Sequence, residues 1–482
     1  MKHASYDEWV RQKESVDSQD PEAWLIGSGK TKFDKKIIEA RLEELRRIKS
    51  EGALESMVYY FDEGTHGNMA GMGSAQLYNS GSSDDRELVD NYVCELANCL
   101  DWLSKCPHHR FSSPGKLAFF ERAAHAHGRA ALMLSGAGSL APFHAGVCVA
   151  LWSQGLLPEV ISGASGGSIF AAIMCCHDNQ ALTEILNSDK LLDMFNDVHS
   201  TYKSLSTHLG SDDVQAIIQS WIPDITFEEA KRLTGRNLCV SVAPAELFQQ
   251  SRMLNSVTTP NVMIREAVLA SCSVPGFMEP VKLQARGLNG ERVPYIASRS
   301  WVDGSLTNDL PASRLRRIFN CNFFIASQTN PIVLWSLKDP DNRGPLDDLF
   351  SFWQTAAKEW AKTSFPYVQQ TFQDIYPLNL MARTWFNVFT QDYTADVNIL
   401  PAHRLVDPAT ILEKIEPKRA LQLVLDGEQR TWPQVERIQN CTRVSAKLQE
   451  ILRDLRKGAH YQKESVKSNN VTSIEKGKYS DV

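Results

Sequence analysis

"ISGASGGS", Ile161 to Ser168, is the stretch on which the reading of the fold turns. It sets Ser165 among small residues, in Gly163-Ala164-Ser165-Gly166-Gly167. Ahead of it, "EVIS" is a short apolar run of strand type, and behind it "SIFAAIMCC" is an apolar helix. A G-x-S-x-G sequence between strand and helix is the setting of a nucleophile elbow. Small neighbours permit a tight, strained turn, and the free N–H groups and positive dipole end of the helix face the hydroxyl. Taken alone, the same string is an ordinary Gly/Ser turn, so the rest of the chain must supply an oxyanion hole and a base.

The run "AALMLSGAGSLAPFHAGVCVALW", Ala130 to Trp152, carries no charged residue and is long enough to cross a bilayer. Gly136, Gly138 and Pro142 interrupt it, which favours a strand, a glycine loop and a buried helix with Pro142 in its first turn. Gly136, Ala137 and Gly138 then form a loop whose backbone N–H groups are candidates for an oxyanion hole. The same loop reads as G-x-G-x-x-A, but the second strand ends in the Ser165 turn and not in the acidic residue that a dinucleotide site needs.

Two residues compete as the base. His403, in "NILPAHRL", comes in the order expected of a Ser-Asp-His triad. Asp303, in "WVDGSLTNDLP", ends an apolar strand and is followed by Gly304, so its carboxylate can approach a serine hydroxyl closely and act as a general base without histidine. The combination of elbow, glycine loop and Asp-Gly favours Asp303 over a simple turn.

Between Arg129 and about Asn330, "ALML", "EVIS", "NLCVSVA", "SWVD" and "NFFIASQ" read as strands alternating with helices. This pattern predicts an α/β domain with a mostly parallel sheet buried between helices. "FDKKIIEARLEELRRIKS" predicts an amphipathic helix with Ile37, Ile38, Leu42, Leu45 and Ile48 on one stripe, and Gly64–Asp85 a loop. The expected organisation is a helical N-terminal region over 1–128, an α/β domain over 129–335, a helical C-terminal extension over 336–456 and a disordered tail over 457–482.

An apolar fraction of 43% can fill a core, and a formal charge of −6 argues against nucleic acid as a partner. The ten cysteines, several in apolar surroundings, read as buried thiols of a reducing compartment. Cys106-Pro107-His108-His109, with His125 and His127, lacks the spacing of a metal site, and no metal or organic cofactor is expected. "MKHASYDEWVRQKES" has no secretory h-region, which points to the cytoplasm. Any contact with a membrane would then be peripheral. The aromatic stretch Pro345–Phe389, with Trp353 and Trp360 at helical spacing, is the candidate anchor, or else a core contact.

In order along the chain, Gly136-Ala137-Gly138, Gly163-Ala164-Ser165-Gly166-Gly167 and Asp303-Gly304 resemble the motifs of patatin-like lipid acyl hydrolases. "HGNMAGMGSAQLYN", "FFERAAHAHGRAALMLSGAGSLAPFHAGV" and "GEQRTWPQVERIQNCTRVSAKLQEIL" extend the resemblance, from about residue 57 to 456, to the triacylglycerol lipase branch of that family. The resemblance implies a patatin-like fold, Ser165 as nucleophile, Asp303 as its base, and an oxyanion hole lined by residues 136–138. It implies cleavage of carboxylic esters of neutral lipids, triacylglycerol first, at a lipid droplet or membrane surface. A phospholipase or lysophospholipase with the same dyad, or a non-catalytic scaffold on lipid, are the alternatives. The family often has consecutive glycines where Gly136-Ala137 stand, and many members carry a basic residue at the position of Leu140. An apolar residue there suits the neutral-lipid branch. His208 and Asp213 fit a His-x4-Asp spacing linked in that branch to acyl transfer, a match that chance also supplies.

Overall fold

The computed structural model describes residues 5–19, 33–65, 67–202, 206–246, 250–305, 309–330, 334, 395–402 and 412–477. The chain divides into two units: Met1–Trp9 with Ala130–Val435, and Val10–Arg129 with Glu436–Val482.

The first unit is built on a seven-stranded sheet. In chain order its strands are β1 (Arg129–Leu134), β2 (Val160–Gly163), β3 (Asn237–Pro244) and β4 (Arg252–Asn255), followed, after a separate hairpin of β5 (Gln284–Arg286) and β6 (Arg292–Pro294), by β7 (Trp301–Asp303), β8 (Cys321–Ser327) and β9 (Val397–Ile399). Their spatial order is β4-β3-β2-β1-β8-β9, with β7 also paired to β3. β1, β2 and β3 run parallel, as do β8 and β9, whereas β4 and β7 are antiparallel to β3. The central strands are largely apolar because they are covered on both faces: every residue of β2 and of β3 is buried.

The register of β3 brings distant residues together. Its Val240 lies opposite Gly163 of β2, and its Val242 lies opposite Asp303 of β7. Val242 also faces Arg252 of β4, so β7 occupies the other edge of β3, where β2 has ended. Asp303 therefore falls two residues, roughly 7 Å, beyond the end of β2, alongside the turn that carries Ser165.

The uncharged run from Ala130 to Trp152 resolves into β1, a loop and the buried helix Pro142–Ser153. No described helix is long and apolar enough to cross a membrane. Against Pro142–Ser153 lies the helix Pro417–Thr431, and the two axes approach at Gly146 and Gly427. A Cβ on Gly146 would run into the Val424 carbonyl, and one on Gly427 into the Phe143 carbonyl.

The second unit packs the helices Lys35–Glu51, Leu54–Asp62, Ser83–Lys105 and Ser113–His127 against the first part of the helix Val435–Gly477. Ile38, Leu42, Leu45 and Ile48 are buried, while Ile37, expected on the same stripe, is 46% exposed. They share a core with Leu96, Leu100 and Phe120, and with Val444, Leu448 and Ile451. The segment expected as a single extension over 336–456 is thus divided: Pro417–Thr431 goes with the sheet unit and the residues from Glu436 onward go with the N-terminal helices. Periodicity marks an apolar face but does not say which surface that face meets. The last helix runs to Gly477, through residues whose polar composition suggested a tail, and Gly64–Asp85 contains the short helix Ala75–Ser80, with Leu77 fully buried. The aromatic stretch Pro345–Phe389, with Trp353 and Trp360, and also His403, lie outside the described residues.

Candidate active site

Ser165 sits between β2 and the helix Gly166–Cys176 with φ of 49° and ψ of −130°. A non-glycine residue in this region is strained, and such strain persists only when the surroundings enforce it. Here they do. A Cβ on Gly163 would stand 2.5 Å from the Ser168 Cα, and one on Gly167 would stand 2.5 Å from the Leu134 carbonyl oxygen. Backbone thus closes on both sides of the turn, and no side chain fits at either glycine.

Hydrogen bonds complete the hold. The Ala164 N–H donates to Leu134 O at 3.1 Å. The Ser165 N–H donates to Ser271 Oγ at 2.9 Å, and that hydroxyl donates onward to Ser241 O at 2.7 Å. Ser271, on the helix Ile264–Cys272, was not singled out in the sequence. Ser168 Oγ donates back to Ser165 O at 2.6 Å.

Asp303 is buried at the end of β7, with its N–H bonded to Ser273 O at 2.9 Å and one carboxylate oxygen accepting the Ser305 N–H at 2.7 Å. Burial pushes its carboxyl up to about 6, although hydrogen bonds from Ser305 and from the Ser165 side chain pull it back. The Ser165 side chain therefore lies close to the Asp303 carboxylate. A Cβ on Gly304 would lie 2.5 Å from the Ser241 carbonyl carbon, so only glycine lets β7 close on β3 directly after the aspartate.

The Gly136–Gly138 loop lies beside the elbow: a Cβ on Gly166 would stand 3.5 Å from the Gly138 nitrogen. Gly138, at φ 52°, opens a 3-10 turn, and Ala137 is buried. Gly136 differs from the expectation for an oxyanion donor, because its N–H is already bonded to Asp309 Oδ1 at 2.6 Å. The carbonyl of Gly136 accepts from Ser135 Oγ at 3.1 Å and from Thr329 Oγ1 at 3.3 Å. Behind the loop, His144 Nδ1 meets Ser327 Oγ at 2.7 Å, and its Nε2 lies 3.0 Å from Ser135 O. Full burial drives this imidazole down to about 4, so it stays neutral.

Beside Ser165 opens an apolar cleft of about 100 Å³, its walls including Ile169, Phe170, Phe195, Val198, Trp221 and Met278. Leu140, where a basic residue was noted as the common alternative, is buried in an apolar cluster with Ala137, Leu334 and Leu400.

Several features singled out in the sequence serve the fold. None of the ten cysteines forms a disulfide, and nine are buried. His127 Nδ1 bonds to Thr65 O at 3.0 Å. Among the described residues no group of three or more His, Cys, Asp or Glu is placed to hold a metal ion. Asp213 accepts the Gly210 N–H at 3.1 Å at a helix start and pairs with Lys414 at 3.1 Å.

Residues 132–316 match the model of the patatin-like phospholipases. Residues 132–316 are therefore a patatin-like phospholipase domain. Residues 1–125 of the chain match a second model, DUF3336, a domain of unknown function. Over 90% of its length the chain is 29% identical to a triacylglycerol lipase, ptl2, of Schizosaccharomyces pombe, of which it covers 71%. It is 30% identical to triacylglycerol lipase 4 of Saccharomyces cerevisiae, over 90% of this chain and 50% of that one. It is 27% identical to triacylglycerol lipase SDP1L of Arabidopsis thaliana, over 89% of this chain and 54% of that one. The chain thus spans about half the length of most of the curated relatives it matches.

Proposed function

We propose that the chain is a serine lipid acyl hydrolase that cleaves carboxylic esters of neutral lipids, triacylglycerol first, with Ser165 as nucleophile and Asp303 as general base. The observation that carries this reading is a strained elbow serine close to a buried carboxylate at the wall of an apolar cleft. Asp303 takes the Ser165 proton as Oγ attacks the ester carbonyl carbon. The N–H groups of Gly138 and Gly166 are the candidate donors to the tetrahedral oxyanion. Collapse breaks the bond to the alcohol, which leaves with the proton from Asp303. Water, deprotonated by the same carboxylate, then attacks the acyl-enzyme and frees the fatty acid and the serine. The cleft suits an acyl chain, because its aliphatic and aromatic walls offer little to a polar group. Names of the relatives support triacylglycerol. The apolar cluster around Leu140 favours a neutral ester over a phospholipid, whose phosphate would call for a cation.

The contact with lipid is peripheral in this reading. Phe277 is 76% exposed, in a loop whose Val274 and Met278 line the cleft, so an apolar ring stands near the cleft wall. Phe277→Ala is expected to weaken binding to an emulsion while leaving turnover of a soluble ester near normal; equal binding by both proteins removes this loop from the lipid contact.

The direct test of the function compares emulsified triolein with phosphatidylcholine vesicles as substrates of the purified chain. Release of fatty acid from triolein well above that from phosphatidylcholine is expected, and its loss in Ser165→Ala. Preference for phosphatidylcholine would make the chain a phospholipase, and no release from either would leave a lipid-binding scaffold.

A further inference from the structure

One buried carboxylate has no part in the dyad chemistry. Asp309 is fully enclosed at 1% exposure, six residues after Asp303. Burial pushes its carboxyl up to about 7, the nearby charge of Asp303 adds to this, and hydrogen bonds from Gly136 and Asn330 oppose it. A carboxylate placed beside another in a dry interior is unfavourable unless it is well bonded. Asp309 is bonded on both oxygens: Oδ1 takes the Gly136 N–H at 2.6 Å, and Oδ2 takes Asn330 Nδ2 at 3.1 Å.

Gly136 is where the chain leaves β1, so the sheet no longer dictates its path. Its carbonyl is bound by the hydroxyls of Ser135 and Thr329, and its N–H by Asp309. Both polar groups of this residue are thus held by side chains. Contact on the far side is steric, since a Cβ on Gly136 would sit 2.9 Å from Ser305 Cβ, between the two aspartates in sequence. With Gly136 pinned, the next two residues have little freedom before the turn at Gly138, which lies against the elbow.

We propose that Asp309 is a positioning residue of the active site: its carboxylate, steadied by Asn330, clamps the Gly136 peptide and thereby fixes the Gly138 N–H group where the oxyanion forms. This inference rests on the dyad reading above. It assigns Gly136 to the frame of the oxyanion hole and not to its donors. A clamp of this kind acts on the transition state more than on substrate binding, because the donors must meet an oxygen that carries full charge only after attack. Misplacement of catalytic donors by about 1 Å costs roughly 10²-fold in rate.

The test uses the full chain and a soluble nitrophenyl ester with four variants: Asp309→Ala, Asp309→Asn, Asn330→Ala and Ser165→Ala. Asp309→Ala is expected to lower kcat roughly 10²-fold with KM within about twofold, the signature of a lost transition-state interaction. Asp309→Asn keeps an oxygen for the Gly136 N–H, and rotation of the Asn330 amide restores the second bond, so it recovers most of kcat. A role in folding alone would lower the thermal midpoint of Asp309→Ala and leave kcat of the folded fraction intact. That result overturns the proposal, as does an Asp309→Asn variant no better than Asp309→Ala. If Asp309→Ala does not fold, Asn330→Ala carries the test, with a smaller loss in kcat expected and an unchanged kcat contradicting the clamp. Ser165→Ala separates the two levels. Turnover that survives in it defeats the dyad itself, whereas a dead Ser165→Ala beside a fully active Asp309→Ala defeats only the clamp.

Discussion

The elbow and the Gly136–Gly138 loop stand side by side, the first held mainly by steric closure and the second mainly by polar side chains. Around Ser165 the constraint is backbone against backbone: Gly163 and Gly167 sit where a Cβ would stand 2.5 Å from main-chain atoms. Around Gly136 the constraint is polar side chains, from Asp309, Thr329 and Ser135. Steric closure of the first kind tolerates no substitution and leaves a mark in the sequence. Polar support of the second kind is adjustable, and apart from the neighbouring Ser135 it comes from parts of the chain 173 and 193 residues away.

The largest effect is expected at the elbow. Gly163→Ala or Gly167→Ala should give insoluble or inactive protein, because overlap with rigid backbone cannot be relieved by rotating a side chain. Recovery of a folded, active Gly167→Ala protein would break the contrast drawn here. Next comes Asp303→Asn, for which a loss of roughly 10²–10⁴-fold in kcat is expected from removal of the base. Its structure should be intact, since the amide oxygen still accepts the Ser305 N–H.

The pH dependence sharpens the comparison further. The proposed base must be ionised, so activity on a soluble ester should rise with pH through about 6 and level off above it. An acid limb near the ordinary carboxylate range would mean that Asp303 is far better solvated than its burial implies. The same raised value has a stability consequence of opposite sense. The folded chain holds the Asp303 proton more tightly than the unfolded chain does, so its contribution to stability declines as pH rises from about 3.8 through about 6. Asp303→Asn removes that cost and should raise the thermal midpoint at pH 8 by roughly 2–5 °C, a gain that shrinks toward pH 5. A lower midpoint at pH 8 would show that the hydrogen bonds of the ionised carboxylate outweigh its desolvation.

How much of this was legible beforehand follows from the same contrast. Ser165, its flanking glycines, Asp303 and Gly304 were readable because short-range geometry demands particular residues at each place. The apolar runs marked β1, β2, β3, β7 and β8, but not β4 (Arg-Met-Leu-Asn) or β9 (Val-Asn-Ile), where polar residues break or bound the apolar ones. Asp309 was hidden because, in "NDLP", an aspartate before Leu-Pro looks like any turn, and its partner Gly136 is remote in the chain. His144 was hidden for a similar reason: within an apolar helix nothing local tells a packed histidine from one that meets Ser327 and Ser135. The stripe of Ile38, Leu42, Leu45 and Ile48 was read as a buried face, but that it shares a core with Val444 and Leu448 required the structure.

The pairing of Ser165 with Asp303 is tested most directly by covalent labelling. A fluorophosphonate probe reacts with a serine only when its proton is being removed, and peptide mass spectrometry reports where the label sits and how fast it forms. The expected result is label on Ser165 in the wild-type chain, formation slowed by roughly 10²-fold or more in Asp303→Asn, and an unchanged rate in His403→Ala. Label on another residue, a wild-type rate in Asp303→Asn, or loss of labelling in a folded His403→Ala would contradict the dyad.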